Sequence, residues 1–186
     1  MGLTRVNNQA LTNVTSAGLP SGSVLQIVTV DDNTRRNFES RGQGTWYDDY
    51  TALNISITPK SNNSKLLFFV DIKYGTDGTS YSTFWQIREG TTIMSELNGG
   101  TSNSHPCFDQ TRSEAYNDAI HYKLETASII GGEVSNTATS QRSFNFRYKM
   151  QGGGTLAINK EGNVNSNQGN HSPTAQSRVM IMEIAG

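Results

Sequence analysis

The C-terminal stretch Arg178-Val-Met-Ile-Met-Glu-Ile-Ala-Gly186 carries apolar side chains at most of its positions. Successive side chains of an extended strand point to opposite faces of a sheet, so this stretch offers apolar groups to both faces. A strand of that kind needs cover on both sides. The pattern therefore predicts a central strand of a β-sandwich, or a strand at an interface between identical subunits.

Arg142–Met150 has the alternation of apolar and polar residues that a strand with one buried face shows. In Lys65–Tyr74 a second strand is predicted: Leu66, Phe68, Val70, Ile72 and Tyr74 share one face, while on the other face Leu67 and Phe69 give way to Asp71 and Lys73. Shorter strands are predicted at Ser23–Val30, Trp46–Tyr50, Leu53–Ile57, Tyr81–Arg88, Thr91–Met94, Thr126–Ile130 and Thr155–Lys160. Residues 31–44 and 95–125 are predicted to be mainly loops. Since no long helical period occurs, the predicted fold class is all-β, an antiparallel β-sandwich, most simply a jelly roll.

Residues 1–22 differ from the rest and predict an extended N-terminal arm in front of a jelly-roll domain at residues 23–186. The apolar residues of the arm keep no lasting period of a helix or a strand, and Gly18–Gly22 ends it with a turn pattern. The residues predicted to anchor the arm on a partner are Leu3, Val6, Leu11, Val14 and Leu19. The alternative is a free terminus.

Composition and charge exclude several classes of partner. Fifteen Lys and Arg stand against 16 Asp and Glu in 186 residues, so the basic surface that binds nucleic acid or an anionic membrane is missing. No segment is apolar over the length of a bilayer, which predicts no membrane insertion. The one cysteine, Cys107, leaves no internal disulfide, so burial must stabilise the fold.

Candidate catalytic groups are few and badly spaced. Cys107 follows His105 by two residues, but no pattern of a thiol enzyme surrounds the pair, and a structural cysteine is the preferred interpretation. The three histidines lack the spacing of metal ligands on one element. In the doublets Asp31-Asp32 and Asp48-Asp49, strand geometry points the two carboxylates to opposite faces, unlike a glycosidase pair. The sequence predicts no catalytic residue, no metal and no cofactor.

Aromatic residues near predicted loops are the candidates for sugar contact, because sugars stack on exposed rings. The candidate glycan contacts are Tyr47, Tyr116 and Tyr122. Core packing is the alternative for each of them, and it is the preferred interpretation for Trp85, Phe144 and Phe146.

Five short motifs occur in a fixed order along the chain. They are Gly22-Ser-Val-Leu-Gln-Ile-Val28, Leu53-x-Ile-x-Ile-Thr-Pro59, Ser61-x-x-Ser-Lys65-Leu-Leu67, Ile87-Arg-Glu-Gly90 and Met182-Glu-Ile-Ala-Gly186. The set resembles a family of virion proteins of tailed phages of aquatic bacteria, over residues 22–186. The resemblance implies a jelly-roll head, usually trimeric, displayed as a fibre head, knob or capsid decoration. Residues 95–140 depart from the family pattern, so no ligand contact is carried over to them.

Together these observations predict a non-enzymatic virion structural protein, made in the host cytoplasm and located at the virion surface. The chain is expected to be a homotrimer seated on a phage capsid or tail protein through its arm, as a decoration or cement protein or a short fibre knob. The predicted trimer interface is Met180, Ile181, Met182 and Ile184. The alternative is a receptor-binding tail-fibre head that recognises host surface glycans. The sequence has no shaft repeat between arm and domain, which favours the first hypothesis.

Overall fold

The computed structural model describes residues 18–77, 82–99, 105–111, 124–152, 154–161 and 175–186. The strands within these ranges are β1 (Val24–Asp32), β2 (Arg36–Arg41), β3 (Trp46–Tyr47), β4 (Ile55–Ile57), β5 (Ser64–Asp77), β6 (Thr83–Glu89), β7 (Thr92–Ile93), β8 (Asp109–Thr111), β9 (Glu125–Asn136), β10 (Arg142–Met150), β11 (Gly154–Ile158) and β12 (Ser177–Ala185). They form two antiparallel sheets, here called sheet A and sheet B. In the described part of the chain no helix is long and apolar enough to cross a membrane.

Sheet A is built around the long strand β5. One edge of β5 pairs with β12 and then, further along, with β11, so these two strands follow one another along the same line. Beyond them lie β1, which pairs with β12, and β2, which pairs with β11. The other edge of β5 pairs with β9. The sheet is therefore four strands wide, with β12 in an interior position, as the apolar C-terminal stretch predicts.

Sheet B repeats this plan around the pair β10 and β6. The free edge of β10 pairs first with β4 and then with β3, and the free edge of β6 pairs with β7 and β8. Four runs are interrupted, each into two strands: β1 with β2, β3 with β4, β7 with β8, and β11 with β12. Counted in this way, the chain has eight runs. The first run pairs with the eighth, the second with the seventh, the third with the sixth and the fourth with the fifth. One long antiparallel ribbon rolled into two sheets gives this pairing. The all-β antiparallel sandwich is confirmed, and the jelly roll is our interpretation of its strand order.

The core lies between the sheets and is rich in aromatic rings. Trp85 has no exposed surface and contacts Tyr50, Tyr74 and Tyr148 at ring-centroid distances of 5.3–6.2 Å. The alternating residues of β5, predicted to share one face, are all buried: Leu66, Phe68, Val70, Ile72 and Tyr74. Core packing is thus the role of Trp85, and of Phe144 and Phe146, which are 1% exposed.

Two predictions about strand limits were wrong. Residues 36–41, expected to be loop, form β2, because β1 resumes after a break of three residues and finds a partner in β11. The strand expected to end before Gly131 continues to Asn136. Gly131 adopts a φ of 71° and is skipped in the register with β5, so it forms a bulge, and glycine takes that conformation without a steric penalty.

A buried polar cluster joins the interrupted edges of sheet A. Asn159, with a φ of 57°, follows β11, and its side-chain amide donates to the carbonyl oxygens of Asp32 (2.8 Å) and Thr34 (3.1 Å). The Ser177 hydroxyl donates to Asn159 Oδ1 at 2.7 Å and accepts from the Lys73 backbone N–H at 2.9 Å. These bonds satisfy backbone groups where the ladder is broken, and they fix the start of β12.

Candidate functional site

The candidate functional site is the outer face of sheet A, where one side of β12 is exposed. Along β12, Val179 and Ile181 point into the core with no exposed surface, while Met180, Met182 and Ile184 on the other side are half-buried. The prediction that placed Ile181 at a trimer interface therefore needs correction, since this side chain packs inside its own subunit. A contact of the other three residues with a second subunit stays a prediction.

The apolar surface continues onto the strands on both sides of β12. Phe69 and Leu67 of β5 stand opposite Met180 and Met182 in the register, and Ile27 of β1 stands opposite Met182 from the other side. Three residues of this surface are strongly exposed: Val24 (50%), Ile27 (52%) and Ile130 (88%). We call the set the apolar face: Val24, Ile27, Leu67, Phe69, Ile130, Met180, Met182 and Ile184.

A hollow lies within the apolar face between β9, β5 and β12. It has a volume of about 180 Å³, and Phe69, Ile130 and Met180 contribute to its lining. The bulge at Gly131 follows Ile130 directly and leaves that side chain projecting beside the hollow. A projecting apolar side chain next to an apolar hollow has the shape that a complementary protein surface can pack against.

The charges around the apolar face are paired with one another. The ion pairs are Arg178–Asp31 at 2.6 Å, Lys73–Asp71 at 2.7 Å and Lys65–Glu133 at 2.9 Å. The hydrogen bond from Arg178 lowers the pKa of Asp31, so this pair stays ionised at neutral pH. Such exposed pairs add little stability, but they leave the face with as many positive as negative charges.

The buried side of β12 is held by a carboxylate that the sequence reasoning missed. Glu183 has no exposed surface and accepts hydrogen bonds from the backbone N–H groups of Lys60 (2.9 Å) and Ser61 (3.1 Å), from the Ser64 hydroxyl (2.7 Å) and from Gln26 Nε2 (2.6 Å). Burial alone would raise the pKa of Glu183, but these bonds outweigh it, and the pKa lies below its ordinary value. The signal for this role that the sequence offered was a single acidic residue, Glu183, within a mostly apolar strand.

The outer face of sheet B has a different chemistry. The side chain of Lys149 is only 4% exposed, and its Nζ lies 4.9 Å from the ring centroid of Trp46 and 4.7 Å from that of Phe84. The Arg147 guanidinium lies 4.7 Å from the Trp46 ring centroid. Burial lowers the pKa of Lys149. Basic groups and aromatic rings are therefore interleaved on this face.

Cys107 and His105 lie beside the same face, where both line one cavity. The His105 ring meets Phe84 edge to face, with centroids 5.1 Å apart. Cys107 is half-buried, and burial raises the pKa of its thiol, which lowers the fraction of reactive thiolate. Among the described residues no group of three or more His, Cys, Asp or Glu side chains could hold a metal ion.

Of the candidate glycan contacts, only Tyr47 falls within the described residues. Its ring stacks on Tyr148 at 5.6 Å and has the Arg41 guanidinium 4.5 Å from its centroid, and its hydroxyl accepts from the Gly42 N–H at 2.7 Å. These contacts favour the packing alternative for Tyr47. The candidates Tyr116 and Tyr122 lie outside the described residues.

Most of the predicted arm also lies outside the described residues, including Leu3, Val6, Leu11 and Val14. Leu19 is half-buried and precedes a turn in which the Ser23 N–H donates to the carbonyl oxygen of Pro20 at 3.1 Å. The doublet Asp31-Asp32 divides as predicted, since Asp31 is exposed while Asp32 is 5% exposed and accepts from the Tyr50 hydroxyl at 3.0 Å.

Comparison with known proteins adds a distant structural likeness. No protein-family model matches the chain, and no curated protein matches it. Among solved structures, a chain in the structure of infectious bursal disease virus Gx strain is similar, with a TM-score of 0.36 and 11% sequence identity. The alignment covers 89% of this chain and 38% of the viral one, so this chain spans well under half the length of that relative.

Proposed function

We propose that the chain is a non-enzymatic structural subunit of a phage virion, which assembles as a homotrimer through the apolar face. The observation that carries the proposal is the apolar face itself, eight apolar residues on four neighbouring strands of sheet A. Soluble monomers rarely expose a continuous apolar surface of this kind, and such surfaces mark sites of association.

The paired charges favour a second copy of the same chain as the partner. Where the same face of several copies gathers around a symmetry axis, like charges approach one another unless each subunit neutralises its own. Around the apolar face each charge of the pairs Arg178–Asp31, Lys73–Asp71 and Lys65–Glu133 already has its partner within the subunit. Burial of half-exposed methionine and isoleucine side chains can then drive association without electrostatic opposition.

Three copies, and a place on the virion, are supported by the five motifs that resemble phage virion proteins and by the strand order that we interpret as a jelly roll. In this proposal the arm at residues 1–22 seats the trimer on a capsid or tail protein. The assembled protein then decorates or cements the particle, or forms a short knob on it. Such a role needs a rigid domain and no reaction centre.

The test follows two substituted chains and one shortened chain into virus particles. Met182→Asp puts a charge into the apolar face, and the matched control Ser56→Asp puts the same charge on an exposed position of sheet B. Quantitative mass spectrometry of purified particles should find the control at the wild-type level and the Met182→Asp chain at less than a tenth of it. A chain that lacks residues 1–17 should form trimers but remain outside particles.

Three results would count against the proposal, each against a different part of it. Absence of the wild-type chain from purified particles removes the virion role. Normal incorporation of Met182→Asp would show that assembly does not depend on the apolar face. Normal incorporation of the shortened chain would show that the arm is not the anchor.

One observation favours the alternative role, a receptor-binding head for host surface glycans. It is the open cavity of about 490 Å³ on the outer side of sheet B, whose lining includes Phe84, His105 and Gln110. The two roles are compatible on one molecule, because the cavity and the apolar face belong to different sheets.

A further inference from the structure

The outer face of sheet B holds three cations on adjacent strands. Arg88 of β6 and Arg147 and Lys149 of β10 all point outward in the register of these two strands. One carboxylate, Asp48, meets Arg88 at 2.8 Å. Among the described residues no carboxylate forms an ion pair with Arg147 or Lys149, although Asp48 also attracts Arg147. The described part of this face therefore has more cations than carboxylates, unlike the apolar face.

Lys149 is the least compensated of these cations. Lys149 is only 4% exposed, and the described residues provide its ammonium group with ring contacts but with neither a hydrogen bond nor an ion pair. Ring contacts offset only part of the cost of removing an ammonium group from water. A buried cation without an anion is the arrangement that a bound anion completes.

Arg147 is held in place beside Lys149. Its Nε donates to Gln86 Oε1 at 2.5 Å, and Gln86 itself is fully buried and donates through Nε2 to the backbone oxygen of Pro106. The Trp46 ring lies against both cations. The two positive groups are therefore ordered before any ligand arrives, which lowers the entropy cost of binding.

A cavity that shares Phe84 with the surroundings of Lys149 has the size and lining of a small-molecule site. It measures about 490 Å³ and is lined in part by Phe84, His105, Gln110 and Gln151. The Phe84 ring borders the cavity and also contacts Lys149, and Cys107, another lining residue, lies in the electrostatic field of Lys149. Amide and imidazole groups around one aromatic ring suit a ligand with several hydroxyl groups and an apolar C–H face.

We propose that this site binds an acidic sugar, with the sugar carboxylate against Lys149 and Arg147 and the ring hydroxyls in the cavity. The site is called the sheet B site below. Nucleic acid is disfavoured because its affinity comes from many phosphate contacts, and the described face offers three cations, one of them already paired. An acidic peptide would need one or two carboxylate contacts but would not use the amide-lined cavity.

The test measures binding of oligogalacturonate to the full-length protein by isothermal titration calorimetry, with neutral oligogalactose of the same length as the reference. Lys149→Met keeps the length and the ring contacts of the side chain and removes its charge. Lys65→Met is the matched control, because it removes the same charge from sheet A. We expect the uronate to bind at least tenfold tighter than the neutral sugar, and Lys149→Met to weaken it tenfold or more. Lys65→Met should leave the affinity within twofold.

The proposal is overturned if the wild-type protein does not bind the uronate, or if it binds the neutral sugar equally well. Equal loss of affinity in both variants would also overturn it, because it would indicate a general charge effect. Tighter binding of a single-stranded DNA of equal charge, or of a polyglutamate peptide, would assign the site to another class of ligand. The subunit mass of each variant is measured in parallel, so that loss of sugar binding is distinguished from loss of assembly.

Discussion

The outer faces of the two sheets differ in a way that the composition of the chain conceals. The apolar face of sheet A has exposed aliphatic and methionine side chains, and its flanking charges are paired within it. The outer face of sheet B has basic groups packed on rings, two of them without an ion pair among the described residues. A net charge of −1 therefore averages two unlike surfaces. The difference teaches that one face suits a second protein surface and the other a small charged ligand.

The largest expected effect comes from placing the same charge at two adjacent positions of β12, one on the inner side and one on the apolar face. Ile181→Asp places a charge in the core and should lower the free energy of unfolding by more than about 4 kcal/mol, which leaves the chain unfolded or aggregated. Met182→Asp places the same charge on the apolar face and should leave a folded sandwich. Circular dichroism during a urea titration checks both variants. A folded, cooperative Ile181→Asp protein would show that the inward and outward sides of β12 are wrongly assigned.

The next effect concerns Glu183, which ties the inner side of β12 to the turn before β5. Glu183→Gln removes the charge that four donors share and should lower the free energy of unfolding by roughly 2 to 4 kcal/mol at pH 7. Urea titrations measure the change, and Glu133→Gln on the outer face of sheet A is the control, with a change below about 1 kcal/mol.

The same carboxylate gives a pH dependence with a defined sign. The pKa of Glu183 is lower in the folded protein than its ordinary value of 4.5, so the folded state favours the ionised form. Its stabilisation is complete above about pH 5.5 and is lost as the pH falls through the folded pKa. The difference in the free energy of unfolding between the wild type and Glu183→Gln should therefore shrink below about pH 4.5. A difference that is constant from pH 7 to pH 3 would contradict the assignment.

A smaller effect tests how the bulge presents Ile130 on the apolar face. Gly131 has a φ of 71°, and a Cβ there would meet no atom within 4 Å, so the cost of Gly131→Ala is that of the backbone alone. We expect the free energy of unfolding to fall by about 1 kcal/mol. Urea unfolding measures it, with an exposed serine of the same strand, Ser135→Ala, as the control. No change in stability would mean that the bulge is absent.

The smallest effect has the opposite sign. Lys149→Met removes a buried, unpaired charge from the sheet B site while an apolar chain keeps the contacts with Trp46 and Phe84. We expect the free energy of unfolding to rise by up to about 1 kcal/mol, because sites that are built for a ligand carry such costs in its absence. Lys65→Met, which breaks an exposed ion pair, should change it by less than about 0.5 kcal/mol. A fall of more than 1 kcal/mol for Lys149→Met would show that the ammonium group has an internal partner.

The sequence was sufficient to predict those strands in which the alternation of apolar and polar residues matches the buried and exposed faces. The strand at Arg142–Met150 has the limits that the sequence predicts, and the predicted face of β5 is the one that packs in the core. The interior position of β12 also follows from its residues, since few strands are apolar on both faces. The strand β2 did not follow, because Arg36–Arg41 contains a single aromatic residue and becomes a strand only through its pairing with β11.

The candidate sites were predictable only in part. Strand parity separates Ile181 from Met180 and Met182, but it does not say which side faces the core, because each side of β12 carries apolar residues and one charged residue. The sheet B site was not predictable, because Trp46, Phe84 and Lys149 belong to three strands that are far apart in the chain and meet only through the register of β10 with β3 and β6. The buried position of Glu183 likewise depends on the turn that covers it.

The central claim is that the apolar face joins identical subunits, and the native mass of the full-length protein tests it most directly. Sedimentation equilibrium at about 20 μM should give three times the chain mass of 20.3 kDa for the wild type and for Ser56→Asp. Folded Met182→Asp should give the mass of one chain. A wild-type protein that sediments as a single 20.3 kDa chain would contradict the account, as would a Met182→Asp protein that keeps the wild-type mass.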